Sequence, residues 1–503
     1  MVAAGGVATM VMRHDRGPAP ETGVPGTPFS NGGSWIYRYI HTPEPAVYGA
    51  TTFSAITEQI VGDFYTSRGI TNLMIYAPYH STGEFRGLPA IDFFDTSPEN
   101  GTIEEFRTMV AAANAKGITV TMYIALIYIS PLNPIFREAQ DDRRNDVDTP
   151  ERRMLRWDER VPDGSFPPPD GSPPGELDIP RPLEGNWAWS EIAQRWYATS
   201  WGFPAIDFAN ESTREFAKDV LRFWMDLGVQ GFEFDAPPSY WGMQGADEAR
   251  QTEIMVTTPR EHRADLELYL HAEGFGTYDN EAYSDRIGFT HIMINGDDDM
   301  DSFVTRAGRV AQTGTVDQLE DQWATYFNTR RAAGRGVYAV SLYDVDLDPR
   351  LRALDAAVQA GMGAQYAIDY EELIENSNGP ILPATTLDGL WDVFRTLRTS
   401  PALSPSASRE RVPAGDDPRA YAIKRTSLDG SRTALLVYNF DDEEATITVD
   451  LADSGIIVPQ RSIDLATGEP GPVLETTATM LTLEPYGYRF LDVQMSDRPQ
   501  TDP

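Results

Sequence analysis

The chain has 503 residues, 41 Lys and Arg against 76 Asp and Glu, no cysteine, 41% hydrophobic and 11% aromatic residues. Its formal charge of −35 argues against nucleic acid and against an anionic membrane surface as partners, because both would repel it. There is no run of about 20 apolar residues to span a bilayer, and without cysteine there is neither a disulfide nor a thiolate metal site.

The length is about three times a typical domain of roughly 150 residues, which predicts two or three domains or one large barrel with an appendage. Lys116, Lys218 and Lys424 are the only lysines. An acid-rich, lysine-poor surface fits solubility at high salt, and equally fits a genome that encodes arginine in preference to lysine.

Residues 1–33 are rich in Gly, Ala and Pro, with Pro18, Pro20, Pro25 and Pro28 interrupting any periodicity, and read as a flexible arm. The apolar stretch 7–12 is short for a secretory signal and no basic segment precedes it, so a cytoplasmic location is expected and export stays open. From Trp35 the pattern alternates. Residues 54–68 read as a helix and 70–77 as a buried strand. Thr102 and Glu105 form a capping box that opens a helix with Phe106, Met109, Val110 and Ala113 on one face, closed by Gly117. The next apolar strand is 118–129. Ser212 and Glu215 form a second capping box, followed by a stripe of Phe216, Val220, Phe223, Trp224 and Leu227, a stop at Gly228 and a strand at 231–235.

Apolar strands alternating with amphipathic helices predict a parallel sheet. Over 34–404 the economical α/β solution is a (β/α)8 barrel. The barrel is expected over 34–130 and 202–404, interrupted at 131–201 by a Pro-, Asp-, Gly- and Trp-rich inserted subdomain after the third strand. Beyond it, 405–495 alternates as short strands with Asp-Gly turns and predicts a C-terminal all-β domain of sandwich type, followed by a tail at 496–503.

The chemistry concentrates at strand ends. In 228–236 (GVQGFEFDA) the alternation places Gly231, Glu233 and Asp235 on one face, with Asp235 at the C-terminal end, where barrel active sites sit. Within 268–275 the apolar run also ends in a carboxylate, Glu273, with His271 on the same face. A third strand over 337–342 leads to Asp344, Asp346, Asp348 and Arg350. Carboxylates converging on one rim suit a glycosidase, in which a pair about 5 Å apart acts as nucleophile and acid/base. Each acid alone could equally cap a helix or pair with an arginine.

These segments together resemble the α-amylase family of glycoside hydrolases, family 13, and in particular its oligo-1,6-glucosidase-like branch. The resemblance rests on 69–78, 101–106 with 115–120, 187–201, 208–229, 363–372 and 390–403, and runs from about Trp35 to Val493. It implies Asp235 as nucleophile and Glu273 as acid/base. Aligned without a gap on Pro349 and Arg350, the family's seventh-strand Asn-His-Asp falls on Val345, Asp346 and Leu347, whereas a one-residue shift puts Asp346 in the transition-state-stabilising position. Which of Asp344, Asp346 and Asp348 is the third carboxylate stays open. The family's features are not all present. The third strand, 122–130, lacks the expected Asp and the Asn-His pair that follows it, Glu233 stands where an arginine is expected, Leu88 follows Gly87 in place of a stacking tyrosine, and 41–50 lacks an Asp-rich calcium loop.

The expectation is therefore a retaining α-glycoside hydrolase or transglycosylase acting on a small, non-standard α-glycoside rather than starch. No cofactor or metal is expected, and the partner is a small carbohydrate, with the oligomeric state left open. Glu233, His80, Arg86, His271, Asp344 and Arg350 are the candidate substrate-binding residues, and His80 and Arg86 are also candidates to offset the like charges of Glu233 and Asp235. Two alternatives stay open: a catalytically inactive barrel that binds carbohydrate or serves assembly, and metal binding by Glu233, Asp235, Glu273 and Asp346. The acid run 297–301 reads as a solvated loop.

Overall fold

The structure is a computed structural model, and it describes residues 34–41, 51–157, 185–237, 248–272, 280–294, 315–323, 336–340, 350–369, 375–376, 379–380 and 384–495. Eight parallel strands form the centre: β1 (Ser34–Tyr39), β2 (Asn72–Tyr76), β3 (Thr119–Ile124), β4 (Gly231–Phe234), β5 (Tyr269–Ala272), β6 (His291–Ile294), β7 (Gly336–Val340) and β8 (Gln365–Asp369). Their ladders run β5–β4–β3–β2–β1–β8–β7–β6. The two ends of that order meet at Thr290, which accepts a hydrogen bond from the Leu270 amide through its hydroxyl (2.7 Å) and donates its own amide to the Leu270 carbonyl (3.0 Å). The sheet therefore closes on itself, which removes its free edges.

Each strand is followed by a helix. These are α1 (Phe53–Val61), α2 (Ile103–Ala115), α3 (Glu211–Asp226), α4 (Thr258–His262), α5 (Asn280–Ile287), α6 (Val316–Trp323), α7 (Arg350–Met362) and α8 (Ala384–Thr399). α4 is the last part of a longer helical run that begins at Glu248–Gln251 and passes through a π-helical turn at Thr252–Thr257. The capping box of α2 forms in both directions: the Glu105 amide donates to the Thr102 hydroxyl (3.2 Å), and Glu105 accepts from the Thr102 amide (2.8 Å). α2 then presents Phe106, Met109, Val110 and Ala113 to the core. Phe106 meets Phe53 of α1 and Trp224 of α3 edge-on, at 5.2 and 5.1 Å between ring centroids.

Two local expectations need correction. The helix expected over 54–68 ends at Val61, because Asp63 takes a left-handed conformation (φ 63°) and the chain resumes only as a short 3-10 turn at Thr66–Arg68. The Ser212–Glu215 capping box does not form: α3 starts one residue earlier, behind Asn210, and the Ser212 hydroxyl faces the Pro150 carbonyl (3.5 Å).

Between β3 and α3 lies the inserted segment. Among its described residues are helices Pro134–Asn145 and Pro150–Met154 and an antiparallel sheet of Gly185–Ser190, Arg195–Ser200 and Phe203–Pro204. It is tied back to the barrel where Ile129 donates to the Pro204 carbonyl (2.9 Å) and Ser130 to Ala90 (2.9 Å).

The C-terminal domain is all antiparallel: a six-stranded sheet faces a two-stranded one, Ala445–Asp450 with Ala478–Leu483. The two-residue period sorts its side chains. Ala422, Leu435, Val437 and Leu491 point between the sheets, while Tyr421, Ile423, Leu436 and Tyr438 join the barrel's core. Arg425, only 1% exposed, fastens the two units by donating to the carbonyls of Gly361 (2.6 Å) and Ala407 (3.3 Å). No described helix is long and apolar enough to cross a membrane.

β4 approaches β5 closely only because it begins with glycine: a Cβ at Gly231 would lie 2.2 Å from the Tyr269 carbonyl oxygen. That neighbour is backbone and cannot rotate away. Gly231→Ala is expected to lower stability by about 1–3 kcal/mol, read as a shift in denaturant midpoint at unchanged m-value.

Candidate active site

β4 aims the site. Its register sets Glu233 level with Tyr123 of β3 and His271 of β5. From across the barrel, Tyr37 of β1 donates its hydroxyl to Glu233 Oε2 at 2.6 Å, and His271 Nε2 lies 3.9 Å from the same oxygen. Glu233 is 1% exposed and His271 fully buried. Asp235 follows immediately after β4 and is 5% exposed. Its amide donates to the Ile124 carbonyl (3.0 Å), which prolongs the β3–β4 ladder by one residue. Its carboxylate receives the Tyr123 hydroxyl at 3.1 Å and makes a longer contact with that of Tyr128 at 3.5 Å. Tyr123 is in turn fixed by stacking on Tyr76 of β2, 4.2 Å between centroids.

Beyond Asp235 the chain turns sharply at Ala236, φ 39°. A buried amide braces this turn. Gln251 donates from Nε2 to the Pro237 carbonyl (3.0 Å), and its Oε1 accepts the Tyr283 hydroxyl (2.9 Å). Gln251 lies just before the π-helical turn, and Tyr283 lies on α5. Two crossover elements, the helical run that carries Gln251 and α5, thus hold the turn two residues beyond the carboxylate.

Burial drives His271 well below its ordinary value, and the nearby His291 adds to the effect. His291 stacks on Tyr269 at 5.2 Å, and Trp35 closes the barrel floor against Tyr269, His271 and His291. His41 is also lowered by burial, against the opposing pull of the Ala77 carbonyl that its Nε2 contacts at 3.0 Å. Burial raises Tyr79, and the negative charge of Asp235 adds to the shift, so its hydroxyl stays protonated and donates to the Leu88 carbonyl (3.0 Å).

The residues expected from the sequence separate into three groups. Asp235, Glu233 and His271 meet inside the barrel. His80 and Arg86 sit on the rim after β2. His80 is half-buried, with its amide bonded to the Asp95 carbonyl (2.8 Å), and Arg86 is exposed in a turn at Glu84–Gly87. Glu273, Asp344 and Asp346 lie outside the described residues, and so does the side chain of Arg350, whose backbone opens α7. Leu88 is 4% exposed. Sequence reasoning did not pick out Tyr37, Tyr123, Tyr128 or Gln251. For Tyr123 a signal existed, since strand alternation puts it on the face of β3 that carries Thr121 inward against Asn72 of β2 (2.9 Å).

Gln251→Ala removes both hydrogen bonds of a side chain only 1% exposed. It is expected to cost about 2–4 kcal/mol, against about 1 kcal/mol for Tyr283→Phe, measured by equilibrium unfolding. The histidines set a pH dependence. His41 and His271 have folded-state values below the ordinary 6.5, so below that pH the unfolded chain binds more protons than the folded one. Their contribution is complete above about 6.5 and is lost as pH falls towards the folded-state values, by up to about 1.4 kcal/mol per pH unit and group. Unfolding midpoints at pH 7.5 and 5.5 should differ in that direction, and less so in His271→Gln.

The signature of the alpha amylase catalytic domain matches residues 53–309. Among curated proteins, the trehalose synthase/amylase TreS of Mycolicibacterium smegmatis is 26% identical over 201 residues, which is 40% of this chain and 32% of the relative. Maltase A2 of Drosophila melanogaster is 28% identical over 182 residues, 36% of this chain and 30% of the relative. The matches thus span about a third of the length of these relatives. In fold, the chain is similar to the crystal structure of the α-amylase from Geobacillus thermoleovorans complexed with acarbose, with a TM-score of 0.66, 12% identity, and coverage of 94% of this chain and 99% of that one. With half of its length matched by the catalytic-domain signature, and with the barrel and all-β domain described above, this chain belongs to the α-amylase family.

Proposed function

We propose that the chain is a retaining α-glycoside hydrolase or transglycosylase acting on a small α-glycoside other than starch. The observation that carries this reading is the placement of Asp235: a nearly buried carboxylate at the C-terminal end of β4, facing the barrel axis and receiving the Tyr123 hydroxyl. In a barrel of this kind the C-terminal rim is where substrate arrives.

In the proposed cycle Asp235 attacks the anomeric carbon while Glu273 donates a proton to the leaving oxygen. The glycosyl ester that results is then cleaved by water, or by a sugar hydroxyl in transfer, with Glu273 taking the proton back. Asp346 stabilises the oxocarbenium-like transition state. The Tyr123 and Tyr128 hydroxyls hold the Asp235 carboxylate in line. Glu233 and neutral His271 form the floor beside it. Glu233 accepts from Tyr37 and can accept a substrate hydroxyl as well, a role that an arginine in its place could not perform.

The same substitutions support the restriction to small glycosides. Leu88 is packed away in the core and offers no stacking face, and 122–130 carries no histidine. Each contact missing from an ordinary glucosyl site costs on the order of 1–3 kcal/mol in transition-state binding. Starch and maltooligosaccharides are therefore expected to be poor substrates.

The test is a panel of α-glycosides, among them maltose, isomaltose, sucrose, trehalose and starch, assayed with product stereochemistry followed by NMR. Asp235→Asn should lower kcat by at least about 10³-fold with the fold intact, and the first-formed product should retain the α-configuration. Brisk turnover of starch would overturn the specificity, and an inverted product the mechanism. If nothing is turned over and sugar binding is unchanged in Asp235→Asn, the barrel binds carbohydrate without catalysis.

A further inference from the structure

The crossover from β4 to β5 contains a feature that the proposed cycle does not use. Its helical run passes through a π-helical turn at Thr252–Thr257, an uncommon form often found at functional sites. Pro259 accounts for the turn locally. Proline has no amide to donate to the residue four positions earlier, and its ring clashes with that carbonyl, here the one of Met255 inside the widened turn. The opened backbone is secured by the Thr258 hydroxyl, which donates to the Glu253 carbonyl at 2.8 Å. On the outer side the Glu253 carboxylate pairs with Lys218 of α3. Immediately before the turn stands Gln251, 1% exposed.

Gln251 joins the turn behind β4 to the helix behind β5. Its Nε2 donates to the Pro237 carbonyl at 3.0 Å, one residue past Ala236 at φ 39°. A non-glycine residue in that conformation is strained and persists only where its surroundings hold it. At the other end of the same amide, Oε1 accepts the Tyr283 hydroxyl at 2.9 Å. A glutamine carries donors and an acceptor at its tip, and here they are used in two directions. α5 is itself registered against β4: the Tyr283 ring lies 6.2 Å from that of Phe289, which stacks on Phe234 at 5.9 Å. Two further links join α5 to the helical run. The Thr252 hydroxyl donates to the Ile287 carbonyl (3.0 Å), and Arg286 pairs with Glu248 (2.7 Å). In sequence, Asp235 lies two residues before Pro237, and Glu273 lies between β5 and α5. The Gln251 amide is thus a mechanical link between the turn that follows one carboxylate and the helix that follows the other.

We infer that Gln251 is a positioning residue for the reaction: it holds the strained turn at Ala236 and Pro237 against α5, and so sets the direction of the Asp235 carboxylate relative to the acid/base that precedes α5. This rests on the reading of Asp235 and Glu273 as the reacting pair. A retaining mechanism needs its two carboxyl groups at one separation, about 5–5.5 Å, and a misplacement of about 1 Å can cost about 10²-fold in rate. A link between the two connections controls that separation without touching the substrate. Tyr283 acts one step further back, through Gln251.

The test uses variants of the full chain at a temperature well below their unfolding midpoints, with rates expressed per folded molecule. Gln251→Met nearly keeps the side-chain volume and removes both hydrogen bonds. It should lower kcat for an α-glycoside about 10–100-fold, with KM within about twofold of the parent. Tyr283→Phe leaves the bond to Pro237 in place and should lower kcat about threefold. The double variant should be no slower than Gln251→Met alone, because the effect of Tyr283 passes through Gln251. Phe106→Leu, in the core between α1, α2 and α3, controls for lost stability and should leave kcat unchanged. Unchanged kcat in Gln251→Met, or single effects that multiply in the double variant, overturns the inference. Amide exchange gives a second readout: peptides spanning 231–237 should exchange faster in Gln251→Met, while those of α2 stay protected. If the parent turns over no glycoside, the proposed function fails and takes the catalytic role of Gln251 with it, and the exchange rates still decide whether Gln251 holds the turn.

Discussion

Two carboxyl groups buried on one face of one short strand impose the constraint that the rest of this barrel answers. Removing a carboxylate from water is strongly unfavourable unless hydrogen-bond donors replace the lost hydration. Glu233 and Asp235 obtain donors from opposite directions: Tyr37 from β1 across the interior, and Tyr123 and Tyr128 from β3 and the chain that follows it. Those donors can reach because Gly231 lets β4 and β5 approach within backbone contact and because β3 and β4 continue their ladder to Asp235. Closure of the sheet and placement of the acids are therefore one geometric problem.

The tyrosine donors carry no charge, and burial holds the neighbouring imidazole of His271 well below its ordinary pKa, in the neutral form. An arginine in place of Glu233 would bring a positive charge beside Asp235, whereas Glu233 brings a second acceptor.

Much of this architecture is legible in the sequence. The 3.6-residue stripe on α2 and the reciprocal Thr102–Glu105 cap are local patterns, and a local pattern needs no knowledge of the fold. The same holds for the two-residue alternation that puts Glu233 and Asp235 on one face. Failures arise where a partner lies far along the chain. Tyr37 is separated from Glu233 by 196 residues and Tyr123 from Asp235 by 112. A tyrosine within an apolar strand reads as core until the opposite strand is known. Gln251 is hidden for the same reason, since a glutamine in a helix is ordinarily a surface residue and only the turn after β4 gives it a buried carbonyl to hold. The second capping box fails in the opposite way: the Ser-x-x-Glu spacing is present, but the helix starts one residue before it.

Backbone strain divides the barrel into two ends. Where helices turn back into strands, glycine fills the left-handed positions just before the strands, at Gly69 before β2, Gly117 before β3, Gly228 before β4, Gly288 before β6 and Gly363 before β8, with Asp63 after α1 the exception. Glycine adopts that conformation without steric conflict, so this end of the barrel is relaxed. At the other end several left-handed positions carry side chains beside the glycines Gly83, Gly87 and Gly202: Ala77 follows β2, Phe85 and Arg86 lie in its loop, Trp201 enters from the insert, and Ala236 follows Asp235. Strain of this kind costs on the order of 1–3 kcal/mol per residue, and here it is held by bonds that extend the ladder beyond the strands: the Ala77 amide to the Tyr123 carbonyl, the Asp235 amide to the Ile124 carbonyl, and the Gln251 side chain on Pro237. The division follows the one expected of this fold, with stability built at the N-terminal face of the strands and chemistry at the C-terminal face. The non-glycine residues held in left-handed turns at the C-terminal rim, Ala77, Phe85, Arg86 and Ala236, mark where side-chain direction outweighs backbone comfort, and Ala236 directly follows Asp235.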